Sequence, residues 1–216
     1  MLMGWWYGVM TIARAGAAKR TRGLCATRPA LGAAVVVLAA LGMLPRTSHA
    51  DELFVTLGQG RQPGADQRNE TLGFDYSFHR FERSERQHIS LGVSYTRLTT
   101  NAAEHRSLYA VSLYPQITLF PTKTSRIAGR SPRWAEPFFF VRALGPTYIS
   151  DSTLGSRRQA DSLAFQAQIG AGVQLNPGAE RRAVVAVSWK HFSNADLYRD
   201  NDGIDMPLVI SVGMTF

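Results

Sequence analysis

Leu163-Ala164-Phe165-Gln166-Ala167-Gln168-Ile169-Gly170-Ala171-Gly172-Val173-Gln174-Leu175 decides the fold. Every second residue is apolar (Leu163, Phe165, Ala167, Ile169, Ala171, Val173, Leu175), while Gln166, Gln168, Gly170, Gly172 and Gln174 stand between them. Successive side chains of a strand point to opposite faces, so this period of two predicts a strand with one apolar and one small, polar face. The pattern recurs on both sides of this stretch. Leu72, Phe74, Tyr76 and Phe78 alternate with Thr71, Gly73, Asp75 and Ser77. Ile89, Leu91, Val93 and Tyr95 alternate with Ser90, Gly92, Ser94 and Thr96. Tyr109, Val111, Leu113, Ile117 and Leu119 form another set, interrupted by Pro115. Ala183, Val185, Val187 and Trp189 oppose Ala186, Ser188 and Lys190. Met206, Leu208, Ile210, Val212, Met214 and Phe216 oppose Val209, Ser211, Gly213 and Thr215. Strands near Glu52–Gly60 and Pro137–Ile149 bring the number to eight.

The polar sets consist of Gly, Ser, Thr, Gln and Asp, too small and too wet to fill a dry core. Apolar outside and polar inside, in segments of about ten residues, is the signature of a membrane barrel. The expected fold is therefore all-β, an eight-stranded antiparallel transmembrane β-barrel. A soluble barrel with a ligand cavity would put the bulky apolar set inside. Asp75, Gln166, Gln168 and Lys190 read as a polar network within the barrel, and the inward position of Ser188 is expected to tolerate a long cation better than the outward Val187.

The first fifty residues are a separate unit. They hold Arg14, Lys19, Arg20, Arg22, Arg28 and Arg46 and no Asp or Glu. The apolar run Leu31–Leu44 ends at Ser48-His49-Ala50, an A-x-A-like site. This pattern predicts a signal peptide over residues 1–50, cleaved before Asp51, and a single mature domain over 51–216. The whole chain has 24 basic and 16 acidic residues, so removing six basic ones leaves the mature part nearly neutral. The high isoelectric point belongs to the leader and does not indicate nucleic acid binding. The one cysteine, Cys25, also lies there, which excludes disulfides and thiol chemistry from the mature domain. No carboxylate cluster or histidine pair has ligand spacing, so neither a metal nor a cofactor is expected. His79, His88 and His105 read as ordinary strand-end residues, and the basic stretch Lys123–Arg133 as a solvated turn.

An even-stranded outer-membrane barrel keeps both chain ends and its short turns on the periplasmic side. The seventh strand then runs outward from the Asn176-Pro177-Gly178 turn, and His191 and Ser193 come at its far end. They continue the apolar face of Val185, Val187 and Trp189, so a candidate general base and nucleophile project toward lipid. A serine hydroxyl becomes nucleophilic when an adjacent imidazole takes its proton and a carboxylate orients the ring. Residues i and i+2 of a strand lie about 6–7 Å apart on one face, a gap an imidazole spans. Asp196, Asp200, Asp202 and Asp205 are the candidate acids. The bland alternative is a polar pair at the interfacial girdle, but an ionisable group on a lipid-facing wall is costly and usually functional.

The run His191-Phe192-Ser193-Asn194-Ala195-Asp196-Leu197, followed by Asn201-Asp202-Gly203-Ile204-Asp205, resembles the lipid A 3-O-deacylase (PagL-type) family. That family shows H-[YF]-S-N-A-G-L and N-D-G-I-E at this separation. Pro137-Phe138 and Ile169-Gly170-Ala171-Gly172 are similar to its fifth and sixth strands. The resemblance implies hydrolysis of the ester-linked 3-position acyl chain of lipid A, within lipopolysaccharide, in the bacterial outer membrane. It implies Ser193 as nucleophile, His191 as base, Asp205 in place of the family glutamate, and Asn194 as an oxyanion donor. Asp196 replaces a family glycine. Asp205 falls out of phase with Met206, Leu208 and Ile210, and Pro207 between them is expected to mark a bulge or an irregular strand start. A non-enzymatic structural or adhesive barrel and an outer-membrane lipid A acyltransferase are the rival readings.

Overall fold

The computed structural model describes residues 52–121, 134–177, 180–197 and 199–216. The leader and the Lys123–Arg133 stretch lie outside these residues. The strands are β1 (Glu52–Arg61), β2 (Arg68–Ser84), β3 (Gln87–Thr100), β4 (Ser107–Leu119), β5 (Ala135–Ile149), β6 (Thr153–Leu154), β7 (Arg157–Arg158), β8 (Leu163–Leu175), β9 (Arg182–Ser193) and β10 (Ile204–Thr215). Eight of them close a barrel in the order β1-β10-β9-β8-β5-β4-β3-β2, while β6 and β7 form a small hairpin in the connection after β5. Each neighbouring pair is antiparallel, and β1 closes the ring on β10 from Glu52↔Thr215 to Gln59↔Leu208. The connections 62–67, 101–106, 150–162 and 194–203 therefore gather at one end, and residues 52 and 215 lie at the other.

The period of two is obeyed as the sequence requires. On β9, Val185, Val187 and Trp189 are exposed, whereas Val184, Ala186, Ser188 and Lys190 are buried. Phe74, Val111, Val141 and Ile169 are likewise exposed, which gives the wall a continuous apolar outer surface far larger than a water-soluble protein carries. This is a transmembrane barrel, with lipid taking the place of a second sheet.

The lumen is filled, and it differs from the uniformly polar, accommodating interior expected. At mid-height Asp75 accepts a hydrogen bond from Arg142 Nη1 and lies 3.9 Å from Lys190 Nζ. Arg142 also donates to Gln116 Oε1 (2.8 Å) and Gln168 Oε1 (3.1 Å) and lies 3.8 Å over the Tyr114 ring. Lys190 Nζ donates to Thr96 Oγ1 at 3.3 Å, and Ser94 Oγ to Gln166 Oε1 at 2.9 Å. The expected network of Asp75, Gln166, Gln168 and Lys190 is thus present, organised by Arg142. Apolar layers cover it on both sides. Leu98, Leu108, Ile149, Leu154, Phe192, Ile204 and Met206 pack toward the loop end, and Phe54, Phe138, Phe140, Val184 and Ala186 toward the other. Ser188 points inward as expected, but it accepts Gln168 Nε2 at 2.8 Å and is buried, so a long cation there would have to displace this bond and its neighbours.

One phase assignment is corrected. Met206 faces inward, opposite Lys190, and not outward with Leu208. The register shifts between Met206 and Val209, so that Pro207 and Leu208 together oppose Trp189 and both are exposed. Proline has no N–H for the ladder and is accommodated in such a bulge. The bulge inverts the parity of everything before it on β10.

Candidate active site

That inversion brings Asp205 to the outer wall. It pairs in register with His191, and its Oδ1 lies 2.9 Å from His191 Nδ1. One methylene fewer than a glutamate does not prevent contact, because the two residues are direct cross-strand partners. Of the four acids raised by the sequence, Asp205 is the one that meets the imidazole. Asp196 pairs with Asn201 Nδ2 (2.7 Å), Asp202 accepts Arg158 N (2.9 Å), and Asp200 stands 3.9 Å from Arg158 Nε. Trp189 stacks on the imidazole at 5.4 Å between centroids and 24° between planes, and its side chain is a further hydrogen-bond partner of Asp205.

The loop after β9 is shaped around this ring. Gly203 has φ +66°, and a Cβ on it would stand 2.7 Å from His191 Cε1. Asp196 sits at φ +59°, in the left-handed region that Asp tolerates better than most residues. Ser193 lies one pleat beyond His191 on the same face. Its Oγ accepts the Ala195 N–H at 3.5 Å, and among the described residues it makes no hydrogen bond to His191. Catalytic hydrogen bonds are often long in free enzymes and tighten once substrate is bound. Asn194 is fully buried; its Nδ2 donates to Asp200 O (3.3 Å) and its Oδ1 accepts Asp196 N (3.0 Å).

Three functional-looking residues were missed by sequence reasoning: Gln62 and Gln67, from the connection between β1 and β2, and Asn69, at the start of β2. Gln62 Nε2 donates to Asp205 Oδ2 at 3.0 Å, and Gln62 Oε1 accepts Asp205 N at 2.9 Å. Asn69 Nδ2 donates to Gln62 Oε1 (2.8 Å) and Asp205 O (3.3 Å), and its Oδ1 accepts Gln67 Nε2 (3.0 Å). Gln67 in turn reaches the β6–β7 hairpin, donating to Leu154 O and accepting Ser156 N and Oγ. The one signal available was a set of three side-chain amides where β1 gives way to β2. Elsewhere, His88 is buried in the lumen beside Phe120, His105 lies 3.6 Å from Asp151, and His79 packs on Phe81. Among the described residues no group of three His, Cys, Asp or Glu could hold a metal ion.

Fold and site together define a class: an outer-membrane-type β-barrel with a histidine–carboxylate pair and a serine on its lipid-facing wall. The chain belongs to the lipid A 3-O-deacylase (PagL) family, whose family model matches residues 71–215. Its fold is similar to the crystal structure of the outer membrane enzyme PagL, with a TM-score of 0.54 and 17% identity over 75% of this chain and 97% of that one. Neisserial surface protein A (NspA) aligns with a TM-score of 0.46 and 10% identity, covering 77% of this chain and 96% of its own. The outer membrane protein OprG from Pseudomonas aeruginosa aligns with a TM-score of 0.39 and 12% identity over 77% and 95%. No curated protein matches the chain by sequence.

Proposed function

We propose that this barrel is a serine esterase of the bacterial outer membrane that removes the ester-linked 3-position acyl chain of lipid A. Export follows from the leader, cleaved after Ala50, and no cofactor or metal takes part. The observation that carries the reading is the 2.9 Å His191–Asp205 pair beside Ser193, in a member of a lipid A deacylase family. The reading takes the four connections at the site's end as the outer loops of such a barrel, with the site facing the leaflet that holds lipopolysaccharide.

The chemistry follows from which ring nitrogen is free. Asp205 engages Nδ1, so Nε2 takes the Ser193 proton as Oγ attacks the ester carbonyl. The tetrahedral intermediate collapses to the acyl-serine as the acyl C–O bond to the sugar breaks, and His191 returns the proton to the departing sugar oxygen. Water, deprotonated by the same nitrogen, then releases the hydroxy fatty acid from Ser193. Asp205 stays ionised and stabilises the imidazolium in both halves. The Ala195 N–H, directed at Ser193 Oγ, is positioned as an oxyanion donor, with Asn194 the side-chain candidate.

Mass spectrometry of lipid A from cells producing the protein is the test. Loss of one hydroxyacyl mass, abolished by Ser193→Ala in a barrel that still folds, is the expected result. No change in mass would support a structural barrel, and a gain in mass an acyltransferase; either would refute the proposal.

A further inference from the structure

The amide of Gln62 occupies an unusual position for a residue at the end of a barrel strand. It is buried, 143 residues distant in sequence from Asp205, and holds that residue at two points. Nε2 donates to the carboxylate oxygen that does not face His191, and Oε1 accepts the backbone N–H of the same residue. A side chain held at its carboxylate and at its own backbone has little freedom left about χ1. The remaining capacity of the amide is also used: its second N–H reaches Gly203 O at 3.4 Å, and Oε1 takes a second donor from Asn69. Behind it, Asn69 and Gln67 are buried and fixed in turn, the last by Ser156. Such saturated networks of buried amides hold one arrangement, because any rotation leaves a donor or acceptor unpaired. A Cβ on Gly155, at φ +59°, would collide with the Gln67 amide oxygen, so this glycine admits the network.

We infer that Gln62 is the positioning residue of the active-site acid: its amide sets Asp205 in the rotamer that meets His191, and Gln67 and Asn69 brace it. This rests on the reading of His191, Ser193 and Asp205 as a triad. The matched family region begins at residue 71, so the brace comes from chain outside it. Its location also has chemical logic. An aspartate on this strand has less reach than a glutamate, and a support on its far side compensates for a shorter stem by removing alternatives.

The test is kinetic, on purified barrel in detergent with a lipid A substrate, using Gln62→Leu, Gln62→Glu, Asp205→Ala and the double variant Gln62→Leu/Asp205→Ala. Heat modifiability on electrophoresis reports folding for each. Gln62→Leu is expected to lower kcat about ten- to a hundredfold, the range for losing a hydrogen bond to a charged group, with KM within about twofold. In the Asp205→Ala background the same change should have no further effect, since Gln62 acts only through that acid. The 15N shifts of the His191 ring should move toward a mixed tautomer in Gln62→Leu. Gln62→Glu keeps length but removes the donor, and should fall with Leu; it also serves if the Leu variant does not fold. Full activity of either folded variant overturns the inference, as does an equal loss in both backgrounds, which would mean a structural role. Activity surviving Ser193→Ala would instead overturn the triad reading itself, leaving the two failures distinct.

Discussion

Replacing Gly203 by alanine probes the site without touching any reacting group. The added Cβ would stand 2.7 Å from His191 Cε1, where ordinary contacts begin near 3.4 Å, so the ring or the loop must give by about 0.7 Å. The ring is the softer of the two, because the loop is tied at Asp202 N to Arg158 O and at Gly203 O to Gln62. A displacement of that size away from Asp205 takes the 2.9 Å bond beyond 3.5 Å, and in any other direction it compresses the bond or bends it from its favoured angle. A misplacement approaching 1 Å in an active site reduces rate by about a hundredfold, and we expect kcat to fall by that order with KM little changed. The positive φ of +66° adds a destabilisation of about 1–2 kcal/mol, too little to unfold the barrel. Release of fatty acid by the heat-modifiable variant is the assay. Wild-type turnover in a folded Gly203→Ala barrel would refute the argument that His191 is held between Gly203 and Asp205.

Two further predictions concern the lumen and the wall. Asp75→Asn leaves the buried Arg142 and Lys190 without their counter-charge and should lower stability by about 3–5 kcal/mol, read as a shifted urea midpoint for the refolded barrel; an unchanged midpoint would show that the cations are solvated. Val187→Arg puts a charge on the lipid face at about 2–4 kcal/mol near the midplane, whereas Ser188→Arg adds bulk and a third cation to a filled interior and should assemble less well. The yield of heat-modifiable barrel compares the two, and a milder Ser188→Arg would mean an open lumen.

Residues 163–175 and their counterparts made the strands, their number and their sidedness legible, because lipid and lumen impose opposite demands on alternate positions. His191 and Ser193 were legible for the same reason, as polar groups on a face whose other members are Val185, Val187 and Trp189. Asp205 was in doubt from parity, and the doubt was physical: Pro207 and Leu208 share one outward step, which periodicity does not register. Met206 was assigned to the wrong face for that reason. The filling of the lumen was hidden in residues such as Phe138, Phe140 and Phe192, which look outward-facing by type and are inward by register. Gln62, Gln67 and Asn69 were barely legible, since Gln62 and Asn69 take their meaning from contact with Asp205, more than a hundred positions away, and Gln67 from bracing them.

Asp75, Arg142 and Lys190 come from β2, β5 and β9, no two of which are neighbours in the ring. Ladder bonds join each strand only to the next and would survive in an open sheet. The contacts among these three cross the lumen and exist only once the sheet has curled. An unclosed intermediate therefore holds two cations and a carboxylate with no mutual partner, facing a bilayer that is hostile to all three. Closure and charge pairing therefore favour one another, and the cluster acts as a latch on the finished ring.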